Sequence, residues 1–227
     1  MASDYEIETP EYLAHGIKVY QYWMLSDSED KHIEYCSAIA GYRHGNKICD
    51  IGCGIGYVAH RMNFAGYESV GVTNSKFQHD YAVEHFPETQ FLLCDMTKTP
   101  LPGETFDAVQ WMESVGYVDQ KRAFSEGYRI LKVGGKAIVK DFAAIKDASL
   151  ACESWSYRFV SAGEMIKLAE SAGLRLVKAF VLSGDDKRLV KFYSASKLLQ
   201  TLHPTIVLEE KPSIPFWYEF VKVKEVY

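Results

Sequence analysis

Lys47-Ile48-Cys49-Asp50-Ile51-Gly52-Cys53-Gly54-Ile55-Gly56 is the stretch whose reading decides the fold. Lys47 to Ile51 is a short apolar run containing one acid, the pattern of a buried strand. Three glycines at alternate positions then make a tight turn, and Tyr57 to Ala65 carries a helical pattern that Gly66 stops. In a strand–turn–helix unit of this kind the first N–H groups of the helix have no internal partner and face whatever the turn cradles. Glycine suits the turn because it tolerates positive φ and, lacking Cβ, lets the backbone approach a ligand. The spacing is GxGxG, whereas dinucleotide-binding turns are GxGxxG, and the Lys-Ser/Thr end of a phosphate-binding loop is missing. A nicotinamide dehydrogenase and a P-loop nucleotidase both fit poorly.

The same alternation continues outward from this unit. Ser69 to Val72 reads as strand and Lys76 to His85 as helix, broken at Pro87; Gln90 to Leu93 and Phe106 to Trp111 read as strands. Gln120 to Leu131 is helical, Gly134-Gly135 turns into a strand at Lys136 to Lys140, and Ser161 to Ser171 is a helix closed by Gly173. Leu174 to Leu182 and Phe216 to Lys224 complete the strands, while upstream Glu29 to Ile39 forms a helix capped by Asp27 or Ser28. This order predicts an α/β protein: a doubly wound, mainly parallel seven-stranded sheet with helices on both faces. Ligands of such sheets bind outside the carboxyl ends of the strands. Residues 1–227 are expected to form a single domain, with 1–28 as an N-terminal lid segment of little clear periodicity. Residues 186–215 are expected to be a helical insertion before the last strand, with a helix over Lys187 to His203 and an irregular link around Pro204, Pro212 and Pro215.

Composition narrows the function classes. Of 227 residues, 48% are hydrophobic, enough for a sizeable core, and the net charge of -5 offers no basic footprint for nucleic acid. No apolar run approaches the roughly 20 residues that cross a bilayer. Met1 to Pro10 is acidic and lacks the features of a secretory signal, so a cytoplasmic location with no membrane partner is expected. The five cysteines, with no CxxC pair, suit reduced thiols better than a disulfide framework or zinc site, and no metal site is expected. The pattern implies nothing about oligomeric state.

Four tracts carry a resemblance. They are Asp50 to Gly56; Val70-Gly71-Val72-Thr73-Asn74-Ser75-Lys76-Phe77-Gln78; Leu93-Cys94-Asp95-Met96; and Phe106 to Val118, with Trp111-x-x-Ser114, Glu113 and Tyr117. Together with Phe124-Ser125-Glu126 and Arg129 to Gly135 they resemble the class I S-adenosylmethionine-dependent methyltransferases. The closer likeness is to the subgroup of cyclopropane fatty acid synthases and tocopherol, sterol and geranyl diphosphate C-methyltransferases. It runs from about Lys47 to Lys140 and implies a Rossmann-like methyltransferase fold with S-adenosyl-L-methionine as cofactor. By that resemblance, Asp50, Gly52, Cys53, Gly54 and Gly56 surround the methionyl part, with Asp50 orienting its amino end. Thr73, Asn74 and Gln78 take the ribose side, where the wider family usually has an acid. Asp95 meets the adenine amino group with Cys94 and Met96 beside the ring, and Trp111 borders the cofactor. Taken by themselves, Thr73 and Gln78 are ordinary loop and helix residues and Asp95 is a turn cap.

Methyl transfer from a sulfonium is direct displacement at an already cationic donor, which asks the protein to align and desolvate the reactants rather than supply a metal. Magnesium would matter only beside a diphosphate, and no ligand cluster demands it. Glu113 is the candidate catalytic residue, as base or as the anion that steadies positive charge developing on a methylated double bond; the alternative is a carboxylate that bonds loop amides. Tyr20, Tyr22, Trp23, Tyr117 and Trp155 are candidates for the acceptor wall through their aromatic faces, or else pack the lid. The expected function is methylation of a small molecule, preferably C-methylation of an isoprenoid-like acceptor. Its alternatives are N- or O-methylation of another metabolite and a non-catalytic, cofactor-binding regulatory protein.

Overall fold

The computed structural model describes residues 4–19, 26, 28–145, 147–149, 156–182 and 213–223. Seven strands form one sheet: β1 (Lys47–Ile51), β2 (Glu68–Thr73), β3 (Gln90–Leu93), β4 (Phe106–Met112), β5 (Leu131–Ala144), β6 (Leu174–Val181) and β7 (Ser213–Lys222). Their order is β3-β2-β1-β4-β5-β7-β6, with β7 antiparallel to both of its neighbours and the remaining pairs parallel. The chain therefore winds outward from β1 in both directions. The reversal lies between β1 and β4, where carboxyl ends diverge and leave room for a ligand.

Among the described residues six α-helices accompany the strands: α1 (Asp4–Ala14), α2 (Glu29–Ala40), α3 (Tyr57–Phe64), α4 (Lys76–His85), α5 (Gln120–Ile130) and α6 (Ala162–Ser171). Their starts follow from sequence, because Ser28, Ser75, Asp119 and Ser161 each accept a backbone N–H of the first turn. Alternating residues of β4 divide the molecule. Val109 and Trp111 enter the larger core beneath α5 and α6, with Phe124, Ile130, Met165 and Tyr218. Ala108 faces Ile33 of α2 and Met62 of α3 on the other side. The first core is continuous; the second is interrupted by a cavity. Among the described residues no helix is long and apolar enough to cross a membrane.

Three differences from the sequence reading have local causes. Asp4–Ala14 is helical although Pro10 lies inside it and its apolar periodicity is weak. It gains support from docking on α4, where Gln78 Nε2 donates to Thr9 Oγ1 at 3.0 Å. The β5 strand starts at Leu131, not after Gly134-Gly135, because Leu131 already pairs with Phe106 and an irregularity in register absorbs the glycines. The last strand starts at Ser213, its first residues pairing with the far end of β5 at Ala144 and Ala143. The helix expected over Lys187 to His203 lies outside the described residues.

Candidate functional site

A cavity of about 450 Å³ opens at the carboxyl ends of β1, β2, β4 and β5, on the face covered by α2, α3 and α4. The turn after β1 forms one end. Asp50, the fourth residue of β1, shares its face with Ile48 and is 2% exposed. Its Oδ1 accepts from Gln110 Nε2 at 2.9 Å, and the Gln110 carbonyl accepts from the Tyr42 hydroxyl at 2.9 Å. Oδ2 is buried with no hydrogen-bond partner. Burial pushes this carboxyl up to about 6 against the opposing effect of the Gln110 amide. A buried carboxylate oxygen with nothing to bind is costly, and a ligand ammonium would repair it.

The glycines of the turn do different things. Gly54 lines the cavity with φ of 55°, and a Cβ added there would meet nothing within 4 Å. Gly56, at φ of 81°, is the residue before α3, and a Cβ there would lie 2.5 Å from the Phe91 ring and 2.8 Å from Ala82. Gly56 thus serves helix packing and is absent from the lining, in contrast to the cofactor contact expected of it. Gly52 and Cys53 do line the cavity.

Thr73, Asn74 and Gln78 border the same end. Thr73 Oγ1 donates to Gln78 Oε1 at 2.9 Å and accepts from Ser75 N at 3.2 Å, so hydroxyl and amide are fixed against each other before a ligand arrives. Met96 lines the cavity, whereas Cys94 and Asp95 stand outside the lining. Asp95 is exposed and its Oδ1 accepts from Thr97 N at 2.7 Å, the turn-capping geometry. Trp111 requires correction. It is fully buried on the opposite face of β4, edge-on to Phe124 at 5.4 Å, because the two-residue period gives the cavity face to Gln110 and Met112.

The other end is lined by Val19, Ile33, Cys36, Met112, Glu113, Tyr117 and Lys140, with His32 and Lys18. Glu113 leaves the end of β4 with φ of 61°, an unusual value for a side chain of its size. Its N–H donates to Lys140 O at 2.7 Å and its Oε1 accepts from Lys140 Nζ. Burial raises the Glu113 carboxyl while the Lys140 ammonium opposes the rise. Tyr117 packs edge-on to Tyr157 at 4.4 Å, and Tyr157 donates to Asp141 Oδ2 at 2.5 Å behind the sheet. Glu29 Oε1 accepts the N–H groups of Lys18 and Val19, which brings the N-terminal segment into the lining. Tyr20, Tyr22, Trp23 and Trp155 lie outside the described residues.

Gln110, Lys140, His32 and Cys36 escape the motif reading. A polar residue within or at the end of an otherwise apolar strand was the available signal for the first two. His32 and Cys36 lie one helical turn apart on α2, with His32 Nε2 3.6 Å from Cys36 Sγ. No group of three or more metal-ligating side chains occurs among the described residues.

Comparison with known proteins agrees with this geometry. Residues 49–139 match the family model described as Methyltransferase domain. Sterol 24-C-methyltransferase of Pneumocystis carinii is 31% identical over 120 residues, 49% of this chain and 32% of that protein. Phosphoethanolamine N-methyltransferase 3 of Arabidopsis thaliana is 32% identical over 107 residues, 43% of this chain and 21% of its own length. The chain thus spans a third or less of these two relatives. Geranyl diphosphate C-methyltransferase from Streptomyces coelicolor A3(2), in complex with Mg2+, geranyl-S-thiolodiphosphate and S-adenosyl-L-homocysteine, superposes with a TM-score of 0.74. Its sequence identity is 21%, over 86% of this chain and 76% of that one. Residues 49–139 therefore match a methyltransferase domain on a Rossmann-like methyltransferase fold, in a chain that resembles the sterol and geranyl diphosphate C-methyltransferases.

Proposed function

We propose that the chain binds S-adenosyl-L-methionine in the cavity and transfers its methyl group to a small molecule held against Glu113. The observation that carries this reading is the unpartnered Asp50 Oδ2 beside the open face of Gly54, at one end of a cavity whose other end holds a carboxylate. The cofactor supplies an electrophilic methyl on a cationic sulfur. Asp50 supplies an anionic partner for the amino end, and Thr73 and Gln78 present a preset hydroxyl and amide to the ribose side. Met96 gives apolar contact for the base. Asp95 has the reach of the motif only if its exposed carboxylate turns inward on binding.

The preferred acceptor is isoprenoid-like and is methylated on carbon. The apolar wall of Val19, Ile33 and Met112 and the sterol C-methyltransferase relative support that choice. Glu113 would steady the positive charge that appears when a double bond takes a methyl group, then accept the proton lost. An amine acceptor is the second reading, favoured by the phosphoethanolamine N-methyltransferase relative; Glu113 then receives the amine proton.

The test is a metabolite library, isoprenoids and amines included, incubated with methyl-labelled S-adenosylmethionine and read by product mass. Glu113→Gln is expected to lower turnover on the acceptor so found by about 10²-fold with cofactor affinity unchanged. Undiminished turnover removes Glu113 from the mechanism, and absence of any labelled product favours a regulatory cofactor-binding role.

A further inference from the structure

Lys140 has no place in the motifs that define the cofactor site, yet it is among the most unusual residues of the chain. It is a lysine at 3% exposure, within β5, whose preceding residues Ala137, Ile138 and Val139 are wholly buried. A buried ammonium is expensive and persists where a carboxylate and good geometry offset its lost hydration. Here the carboxylate is Glu113, and the two residues are joined twice. The Lys140 carbonyl accepts the Glu113 N–H at 2.7 Å, and the Lys140 ammonium donates to Glu113 Oε1.

The backbone tie has a specific role. Met112 is the last residue of β4 and pairs with Lys140 in the sheet. Beyond it Glu113 adopts φ of 61°, which folds the chain back instead of continuing the strand. A non-glycine residue holds such a conformation only where surrounding bonds impose it, and the Lys140 carbonyl is the group that does so. The side-chain tie then occupies Oε1. Among the described residues Oε2 carries no hydrogen bond, while Glu113 itself lines the cavity.

We propose that Lys140 is a positioning residue for Glu113, fixing its backbone and side chain so that an ionised carboxylate with one free oxygen faces the acceptor. The proposal rests on the reading of Glu113 as the carboxylate that meets the acceptor. It also defines the acceptor end by charge: ammonium and carboxylate cancel until positive charge develops beside the free oxygen. Such a site favours acceptors that are neutral at rest and cationic during transfer.

The surroundings leave this work to Lys140. On α2, the Cys36 thiol is pushed up to about 11, chiefly by burial, and stays neutral; its neighbour His32 is hydrogen-bonded to that thiol. Tyr117 lines the same end of the cavity and carries no positive charge. Behind the sheet, burial pushes the Asp141 carboxyl up to about 7, and a carboxyl, neutral or anionic, supplies no positive charge to Glu113. Among the described residues Lys140 is the one cation hydrogen-bonded to Glu113. Burial favours the neutral acid of Glu113, and removing the ammonium removes what opposes it.

The test needs no acceptor. The full chain is saturated with S-adenosylhomocysteine at about pH 7, and the Glu113 signal is isolated as the infrared difference between wild type and Glu113→Gln. Wild type and Lys140→Arg are expected to show the carboxylate stretch, and Lys140→Met to lose it and gain a carboxylic acid band. A carboxylate band that persists unchanged in Lys140→Met overturns the proposal, as does an acid band in the wild type. Calorimetric binding of S-adenosylhomocysteine checks that each variant is folded. If Lys140→Met fails that check, the wild-type spectrum and recovery by Lys140→Arg decide the matter. A failure here leaves methyl transfer and the role of Glu113 standing; undiminished turnover of Glu113→Gln removes that role whatever the spectra show.

Discussion

At one end of the cavity the surface offered to a ligand is mostly backbone and space: the turn from Asp50 to Gly56, with the open face of Gly54 and a single unpartnered carboxylate oxygen. At the other end it is made of side chains drawn from α2, β4, β5 and the N-terminal segment, with Lys140 hydrogen-bonded to Glu113 and His32 to Cys36. On the proposed function, a cationic ligand meets the unpartnered oxygen of the first end. The second holds its charge in balance until chemistry disturbs it. Substitutions should therefore damage the first end by filling it and the second by changing its ionisation.

The largest effect is expected at Gly54. A valine there places branched carbons in the space the cofactor needs, at a φ of 55° that β-branched residues avoid. S-Adenosylmethionine affinity should fall by about 100-fold or more, ~3 kcal/mol, in a calorimetric titration. Retained affinity would show that the ligand does not lie against this turn. Trp111→Phe sharpens the contrast between the two faces of β4. It should lower stability by about 1–3 kcal/mol in a denaturant titration, through lost packing against Phe124, and leave the cofactor Kd within about twofold. A large loss of affinity would return Trp111 to the cofactor site.

The smallest effect concerns Asp141, behind the acceptor end. Burial, opposed by the Tyr157 hydrogen bond, raises its carboxyl from 3.8 to about 7, so the folded state favours the protonated form. That contribution to stability is complete below about pH 4 and is lost as pH rises through about 7. Asparagine keeps the neutral form at every pH. The midpoint temperature of Asp141→Asn relative to wild type, measured without cofactor, should therefore rise between about pH 4 and pH 8, by about 2 °C or more. A flat difference would mean that Asp141 is ionised throughout.

The contrast between the two ends also explains how much was legible in the sequence. The cofactor end is local: strand, turn and helix follow one another, and the turn needs glycines at fixed spacing, so Asp50 and Gly54 are read from that spacing, whereas Thr73 and Gln78 were reached only through the family resemblance. The strand and helix order was legible for the same reason, through apolar period, glycine and proline breaks and the cap at Ser28, while the caps at Ser75, Asp119 and Ser161 appeared only in the structure. Trp111 was misplaced because motif likeness fixes a position in the chain, while the face of a strand depends on register with its neighbours. Gly56 shows the same limit, since its need is the Phe91 ring packed beside it. The acceptor end joins residues far apart in the chain, with Glu113 meeting Lys140 across a strand pair and α2 approaching from upstream. No spacing rule encodes such a meeting. The helix at Asp4–Ala14 was hidden because its weak pattern and Pro10 are offset only by docking on α4.

The most direct measurement is a calorimetric titration of the wild-type chain with S-adenosylmethionine and, separately, with NAD. Saturable one-to-one binding of S-adenosylmethionine, with no binding of NAD, is the result that a GxGxG turn closed by an unpartnered Asp50 predicts. No binding of S-adenosylmethionine, or equal binding of both, would contradict it.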